Sequence, residues 1–289
     1  DYVDDTLAEA KAWCAEQGAH FLAPFDDPDV IEGQASVAVE LLAQAEAQGL
    51  GRPDLVVMPV GGGGLSAGMS GYFREAAPGI ACRYVEPQGG ASLAAALAEG
   101  APVTLNTVDT FVDGAAVARI GAHTFEMLKG VDPAHLLAAP ENRICGTILE
   151  MLNVEGIVLE PAGALSVDVL PGLEDEIRGK RVVCVTSGGN FDFERLPEVK
   201  ERSMRYTGKK KYVILRLPQR PGALRDFLEM LGPEDDIARF EYLKKSARNF
   251  GSVLLGIETA RAENFGALFA RLDAHGFVYT DITADEVIG

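Results

Sequence analysis

The sequence predicts an α/β protein built on a mostly parallel sheet, followed by a smaller ferredoxin-like βαββαβ domain. Three observations carry this. Short apolar runs alternate with helical periodicity through residues 1–195, the pattern of a parallel sheet covered by helices. One of those runs, residues 55–60, is apolar throughout and opens into Gly61, Gly62, Gly63 and Gly64. Charge is also unevenly spread. Residues 206–289 hold 12 Lys+Arg and 12 Asp+Glu; removing them from the chain totals of 26 and 43 leaves 14 and 31 for residues 1–205. The whole net charge of −17 thus falls in the first part. That shift places a boundary near residue 205. The expected division is a first region at 1–195, a polar and basic neck at 196–208, and a second domain at 209–289.

In chain order, Asp4 or Asp5 caps a helix over 6–17 that Gly18 ends, and 20–23 form a short strand. Residues 24–49 supply a loop and one helix. Its acidic start, Asp26, Asp27 and Asp29, reads as carboxylates at the positive end of a helix dipole rather than as a metal site. After the glycines a helix opens at Leu65. Strand 80–85 leads into Glu86-Pro87 and a helix at 92–98. A helix at 115–129 is entered through Asp113-Gly114, and strand 135–138 precedes a helix at 141–152. The run 157–159 leads to Glu160-Pro161-Ala162-Gly163 and a helix to Leu170. Strand 181–186 ends at Ser187. Beyond the neck come strand 211–217, helix 221–231, strands 237–245 and 253–259, helix 261–275 and strand 277–282. In parallel sheets ligands gather beyond the C-terminal strand ends. Gly61–Gly64, Glu86, Glu160 and Ser187 all fall at such ends, so one crevice is expected to collect them.

The glycine run is the strongest chemical signal. Without Cβ atoms the backbone reaches φ > 0 and approaches a ligand closely, and N–H groups at a helix start receive a phosphate. No Lys or Arg lies within residues 55–73, so backbone dipoles alone would hold the anion. The P-loop ending Gly-Lys-Ser/Thr is absent, and Ser66 stands where a dinucleotide fingerprint has its last Gly. A tight structural turn is the plainer alternative. The acidic balance excludes nucleic acid and anionic membranes as partners. Cys14, Cys82, Cys145 and Cys184 are scattered, with no Cys-x-x-Cys pair, which fits a reducing cytoplasm and no metal site. No apolar run is long enough to span a bilayer.

VGGGGLSAG at residues 60–68 resembles the phosphate-cup loop of fold type II pyridoxal-phosphate enzymes, the threonine and serine dehydratase group. PFDDPDVIEGQ, VDGAAV, EPAGAL and TSGGN keep the family order, and RLPQRPGAL resembles the start of the ACT-like regulatory domain of threonine dehydratases. The resemblance implies pyridoxal phosphate as cofactor, bound by Gly61, Gly62, Gly63, Gly64 and Leu65, with Glu160 near its ring. Ser187 would meet the pyridine nitrogen; a neutral hydroxyl makes the ring a weaker electron sink than an aspartate would, favouring β-elimination. The implied activity is threonine ammonia-lyase, L-threonine to 2-oxobutanoate and ammonia in isoleucine biosynthesis. Arg220, Pro221 and Gly222 would receive the carboxylate of an isoleucine or valine effector, and the protein would be a homo-oligomer, dimer or tetramer. A serine-preferring dehydratase, a non-catalytic amino-acid sensor and a nucleotide-binding domain are the other readings.

The sequence also departs from the family. Neither the Ser-Phe-Lys-x-Arg-Gly motif with the Schiff-base lysine nor the Ser-x-Gly-Asn-His loop has a counterpart. Lys11, Lys129, Lys180, Lys200, Lys209, Lys210, Lys211, Lys244 and Lys245 all stand in contexts typical of solvated lysines. The first third of a family member is therefore expected to be missing, no catalytic residue is assigned, and the chain alone is expected to be inactive. Gly33-Gln34-Ala35-Ser36 replaces the usual Gly-Gln-Gly-Thr. Glu86-Pro87 resembles a cation-binding position of relatives, but Gly90 and Ser92 follow it instead of a further acid, so no metal is expected there.

Overall fold

The computed structural model describes residues 3–243 and 250–284, which fall into two compact units, Asp1–Glu194 and Arg195–Gly289. The first is built on strands β1 (Leu55–Pro59), β2 (Ala81–Pro87), β3 (Leu136–Ala139) and β4 (Val182–Cys184), in the order β3-β2-β1-β4 with every pairing parallel. Central β1 is buried along its whole length, which is why its sequence is an unbroken apolar run rather than an alternation. Its helices are α1 (Val3–Gln17), α2 (Pro28–Gln34), α3 (Ser36–Ala47), α4 (Gly64–Ala76), α5 (Ser92–Glu99), α6 (Ala122–Leu128), α7 (Glu141–Glu150), α8 (Pro161–Asp168) and α9 (Glu174–Ile177). Val56 and Met58 of β1 pack with Met69 and Phe73 of α4, Leu93 of α5 and Phe125 and Leu128 of α6 in one core.

Several local expectations give way to tertiary structure. Helix α1 already includes Val3, so Asp4 and Asp5 lie inside it rather than before its start. Residues 20–23 pair with no strand; the apolar Leu22 is 62% exposed, so the run lacks the burial that would favour pairing. The helix over 24–49 is two helices that meet at Ala35, after Gly33 has weakened the first. Residues 115–121 are not helical. Ala115, Val117 and Ile120 are buried in an irregular segment whose backbone bonds run elsewhere, Leu105 N donating to Ala118 O at 2.9 Å. Burial of every few residues mimics a helical period there. Residues 157–159 are likewise irregular, and α7 passes into a π-turn at Met151–Glu155.

The second unit comprises α10 (Leu196–Tyr206), β5 (Lys210–Pro218), α11 (Ala223–Leu228), β6 (Asp235–Leu243), β7 (Phe250–Thr259), α12 (Asn264–Ala274) and β8 (Val278–Asp281). The sheet order β6-β7-β5-β8 with every pairing antiparallel is that of a ferredoxin-like unit. Val213, Leu215, Val253, Leu255 and Ile257 on one sheet face meet Phe227 of α11 and Leu268 and Leu272 of α12. The stretch expected as a neck is mostly the helix α10, with Val199 buried and Arg202 paired to Glu198 at 2.9 Å one turn away. Helix α11 is shorter than expected, so Pro221 precedes its cap, Gly222.

Lys210 also departs from the expectation of solvated lysines. It is 7% exposed and bonded to Glu201 of α10 and, at 2.9 Å, to Glu258 of β7. Burial alone would lower its pKa; the two carboxylates outweigh burial and raise it, so it stays charged. Lys244 and Lys245, and the expected end of strand 237–245, lie outside the described residues.

Candidate cofactor site

Strand β1 delivers the chain at its C-terminal end into Gly61, and α4 begins three residues later with Gly63 as its cap. Gly63 adopts φ +90°, a left-handed conformation that a β-carbon disfavours. No side chain caps α4, so the N–H groups of Gly64, Leu65 and Ser66 in its first turn have no partner within the helix. Packing adds a second reason for the glycines, beside backbone freedom. A Cβ on Gly63 would lie 2.9 Å from Ile120 Cδ1 and 3.0 Å from Thr124 Cβ, and one on Gly62 would run into the Phe25 ring. The loop is bare because protein packs against it.

Neighbouring β4 delivers the second piece. Val185 N still donates to Val57 O at 2.9 Å, and the chain then leaves the sheet at Ser187. Helix α8 is pinned beside this exit by Ser166 Oγ donating to Val185 O at 2.8 Å. Glu160, at its cap, donates its N–H to Gly188 O at 3.2 Å, and Pro161 opens the first turn. Gly188 has no room for a side chain, since a Cβ would strike the Glu160 carboxylate. Two adjacent strand ends and the start of α8 therefore surround one cleft of about 400 Å³. Among its lining residues are Gly61, Gly62, Gly63, Gly64, Leu65, Glu160 and Ser187, together with Gln34, Asp113 and Phe25. The last three were not singled out as site residues. They sit in PFDDPDVIEGQ and VDGAAV, motifs that keep the family order, so the signal was present.

Glu86 does not join this cleft. Its carboxylate accepts from Leu93 N at 2.7 Å and Ala94 N at 3.0 Å, closing the start of α5, and it borders a separate 210 Å³ cavity. Those donors occupy both oxygens. Among the described residues, no group of three or more His, Cys, Asp and Glu is placed to hold a metal ion. The acidic residues near the first helices serve as caps: Asp27 receives Asp29 N at 2.9 Å at the start of α2, and Asp26 receives the first N–H groups of α6. The residues expected to receive an effector lie in the second unit. Gly222 has φ +86° at the start of α11, and Arg220 pairs with Asp226 at 2.6 Å.

The donor set suits a small aromatic cofactor carrying a phosphate. Backbone N–H groups at a helix start suit a dianion, a hydroxyl and a carboxylate line the same cleft, and 400 Å³ is within the range of cofactor sites. No lysine lines the cleft. A parallel sheet with such a cleft at its strand ends is what a pyridoxal-phosphate enzyme needs, and residues 1–188 match the family model "Pyridoxal-phosphate dependent enzyme". Residues 201–289 match "C-terminal regulatory domain of Threonine dehydratase". The chain belongs to this family, in its threonine dehydratase branch.

It is 44% identical over 287 residues to the L-threonine dehydratase biosynthetic IlvA of Bacillus subtilis (strain 168), covering 99% of this chain and 67% of that protein. With the protein of the same name from Lactococcus lactis the identity is 42%, covering 99% and 68%. Among solved structures, the processed form of threonine deaminase isoform 2 from Solanum lycopersicum superposes with a TM-score of 0.62 and 33% identity, over 68% of this chain and 56% of that one. The threonine deaminase of T.th. gives a TM-score of 0.58 and 34% identity, over 64% and 62%. The chain thus spans about two thirds of the length of the curated relatives and less of the solved ones.

Burial raises the Glu86 pKa from 4.5 to about 7, against the pull of the Leu93 and Ala94 N–H groups. Between those values the folded chain binds more protons than the unfolded one. The stabilising contribution is full below pH 4.5 and is lost as pH rises through 7. Glu86→Gln keeps an acceptor for α5 and removes the charge. Urea denaturation from pH 4.5 to 7.5 should show the variant gaining stability relative to the parent as pH rises; parallel profiles would refute a buried, proton-binding Glu86.

Proposed function

We propose that this chain is the cofactor-cup and regulatory portion of a biosynthetic threonine ammonia-lyase, which converts L-threonine to 2-oxobutanoate and ammonia. The observation that carries this reading is the single cleft that gathers Gly61–Gly64, Leu65, Glu160 and Ser187 in a chain aligned along 99% of its length with biosynthetic threonine dehydratases. Pyridoxal phosphate, when bound, supplies an electron sink for chemistry at the amino-acid α-carbon. The N–H groups of Gly63, Gly64, Leu65 and Ser66 would receive the phosphate. The Ser187 hydroxyl would hydrogen-bond the ring nitrogen without charging it. Glu160 would keep the Ser187–Gly188 turn in place through its N–H and present its carboxylate to the cleft. With no lysine in the lining, we assign the Schiff-base amine to the part of the complete protein that lies outside this chain.

The test is turnover of L-threonine against L-serine by the complete protein, followed as 2-oxo acid formation, with Ser187→Ala beside the parent. Threonine should be preferred. The variant should retain cofactor, since one neutral hydrogen bond contributes about 1 kcal/mol, yet lose most turnover. A variant of full activity would remove Ser187 from the site.

One observation favours a narrower reading of the chain by itself, as an amino-acid-sensing fragment without catalysis: the cleft lacks an amine. Borohydride treatment in the presence of pyridoxal phosphate should therefore give no stoichiometric labelling of a single lysine. Clean labelling of one site, located by peptide mass, would overturn the assignment.

We further propose that the second unit reads isoleucine or valine at Arg220, Pro221 and Gly222, that the protein is a dimer or tetramer, and that it works in the cytoplasm. Gly222 supplies the left-handed turn that lets backbone approach an α-carboxylate at the start of α11. Ile214 and Val278 leave apolar surface on the sheet face opposite the helices, which suits subunit contact. None of the four cysteines forms a disulfide, as suits a reducing compartment. Among the described residues no helix is long and apolar enough to cross a membrane. Calorimetry should detect isoleucine or valine binding to the chain, and Gly222→Val should abolish it while circular dichroism stays unchanged. Absence of heat from both amino acids would refute the effector site.

A further inference from the structure

Three backbone donors at the start of α6 converge on one carboxylate. Asp26 accepts from Ala122 N at 2.9 Å, His123 N at 2.7 Å and Thr124 N at 3.3 Å. These are first-turn groups that a helix cannot satisfy internally, so Asp26 sets where α6 begins. Thr124, in that turn, is fully buried, and its hydroxyl lies 2.8 Å from the Gly62 carbonyl and 3.1 Å from that of Gly121. Gly121 N adds a longer bond to the same Gly62 oxygen at 3.4 Å. Neither Asp26 nor Thr124 lines the cleft, and no residue of α6 does.

A run of four glycines has more backbone freedom than any other sequence, and nothing within it selects one orientation of its peptide groups. The selection has to come from outside the loop. In a trans peptide the C=O and the following N–H point in opposite directions. Holding the Gly62 carbonyl toward Thr124 therefore turns the Gly63 N–H away from α6. Were that peptide to rotate, a carbonyl oxygen would replace an N–H on the side opposite α6, where an oxygen repels an anion.

We propose that Asp26 and Thr124 are positioning residues of the cofactor site. Asp26 seats the first turn of α6, and Thr124 from that turn holds the Gly62 peptide so that the loop offers N–H groups to the cofactor phosphate. The proposal rests on the pyridoxal-phosphate reading of the cleft. It assigns a role to an acidic cluster and a buried threonine that lie outside that cleft.

The test is titration of the chain with pyridoxal phosphate, followed by fluorescence and by ³¹P NMR, for the parent, Thr124→Ser and Thr124→Val. Valine is close to isosteric and removes the hydroxyl; serine keeps it and removes the methyl. Thr124→Val should bind about tenfold more weakly, with its ³¹P resonance displaced toward that of free cofactor, while Thr124→Ser stays within about twofold of the parent. Circular dichroism should be the same for all three. Equal losses in the serine and valine variants would assign the effect to methyl packing and overturn the proposal, as would a valine variant matching the parent in affinity and resonance. If the valine variant misfolds, Asp26→Asn decides: a smaller loss with the same displacement supports the brace, and unchanged binding overturns it. A parent chain that leaves the cofactor resonance unmoved overturns the brace in this chain, and a complete protein that also leaves it unmoved overturns the cofactor reading itself.

Discussion

The packing of the chain against the bare loop at Gly61–Gly64 is the constraint on which the first unit depends. The loop has no side chains of its own, so its shape is imposed by what touches it: the Phe25 ring, the backbone at Ala115, Ile120 and the Thr124 hydroxyl. These contacts draw together three segments far apart in sequence, and each also serves the cleft or its support. Phe25 lines the cleft while its neighbour Asp26 caps α6. Asp113 and Ala115 line it from the irregular segment that precedes α6. Backbone donors are only as well directed as the peptides that carry them, so these outer contacts decide where the loop's N–H groups point as much as the glycines do.

Charge is handled by the same means at several places. Buried or half-buried carboxylates in the first unit meet backbone N–H groups at helix starts: Asp26 at α6, Asp27 at α2 and Glu86 at α5. Each pairs a helix's unsatisfied donors with an acceptor that would otherwise be costly to bury. At Glu86 each carboxylate oxygen accepts one N–H group from the start of α5. The second unit instead buries a full ion group, Lys210 between Glu201 and Glu258, which ties α10 to the sheet. What was expected as a loose neck is in that way part of the regulatory unit's own packing.

Much of the architecture was legible because hydrophobic period and glycine position act locally. The apolar run of β1, the order of elements in both units and the membership of Gly61–Gly64, Glu160 and Ser187 in one crevice follow from strand ends and chain order in a parallel sheet. Segments whose burial comes from distant neighbours were not legible. Residues 115–121 have a helical spacing of apolar side chains, yet their backbone bonds are drawn to residues 105 and 112. Leu22 has strand-like neighbours and no strand to pair with.

What the sequence determined by itself was chemistry of type: a run of four glycines with no basic side chain nearby in sequence, a neutral hydroxyl at Ser187 and no counterpart of the family's lysine motif. Tertiary structure alone decided which carboxylates share the cleft. Glu86 and Glu160 each precede a proline and each stand at the start of a helix turn, and no local rule separates them. Strand β2 turns Glu86 toward the N–H groups of α5, whereas the bond from Glu160 N to Gly188 O holds Glu160 against the turn that carries Ser187. The physical reason is that a side chain's neighbours across a sheet are set by strand order and register, which the local sequence does not contain.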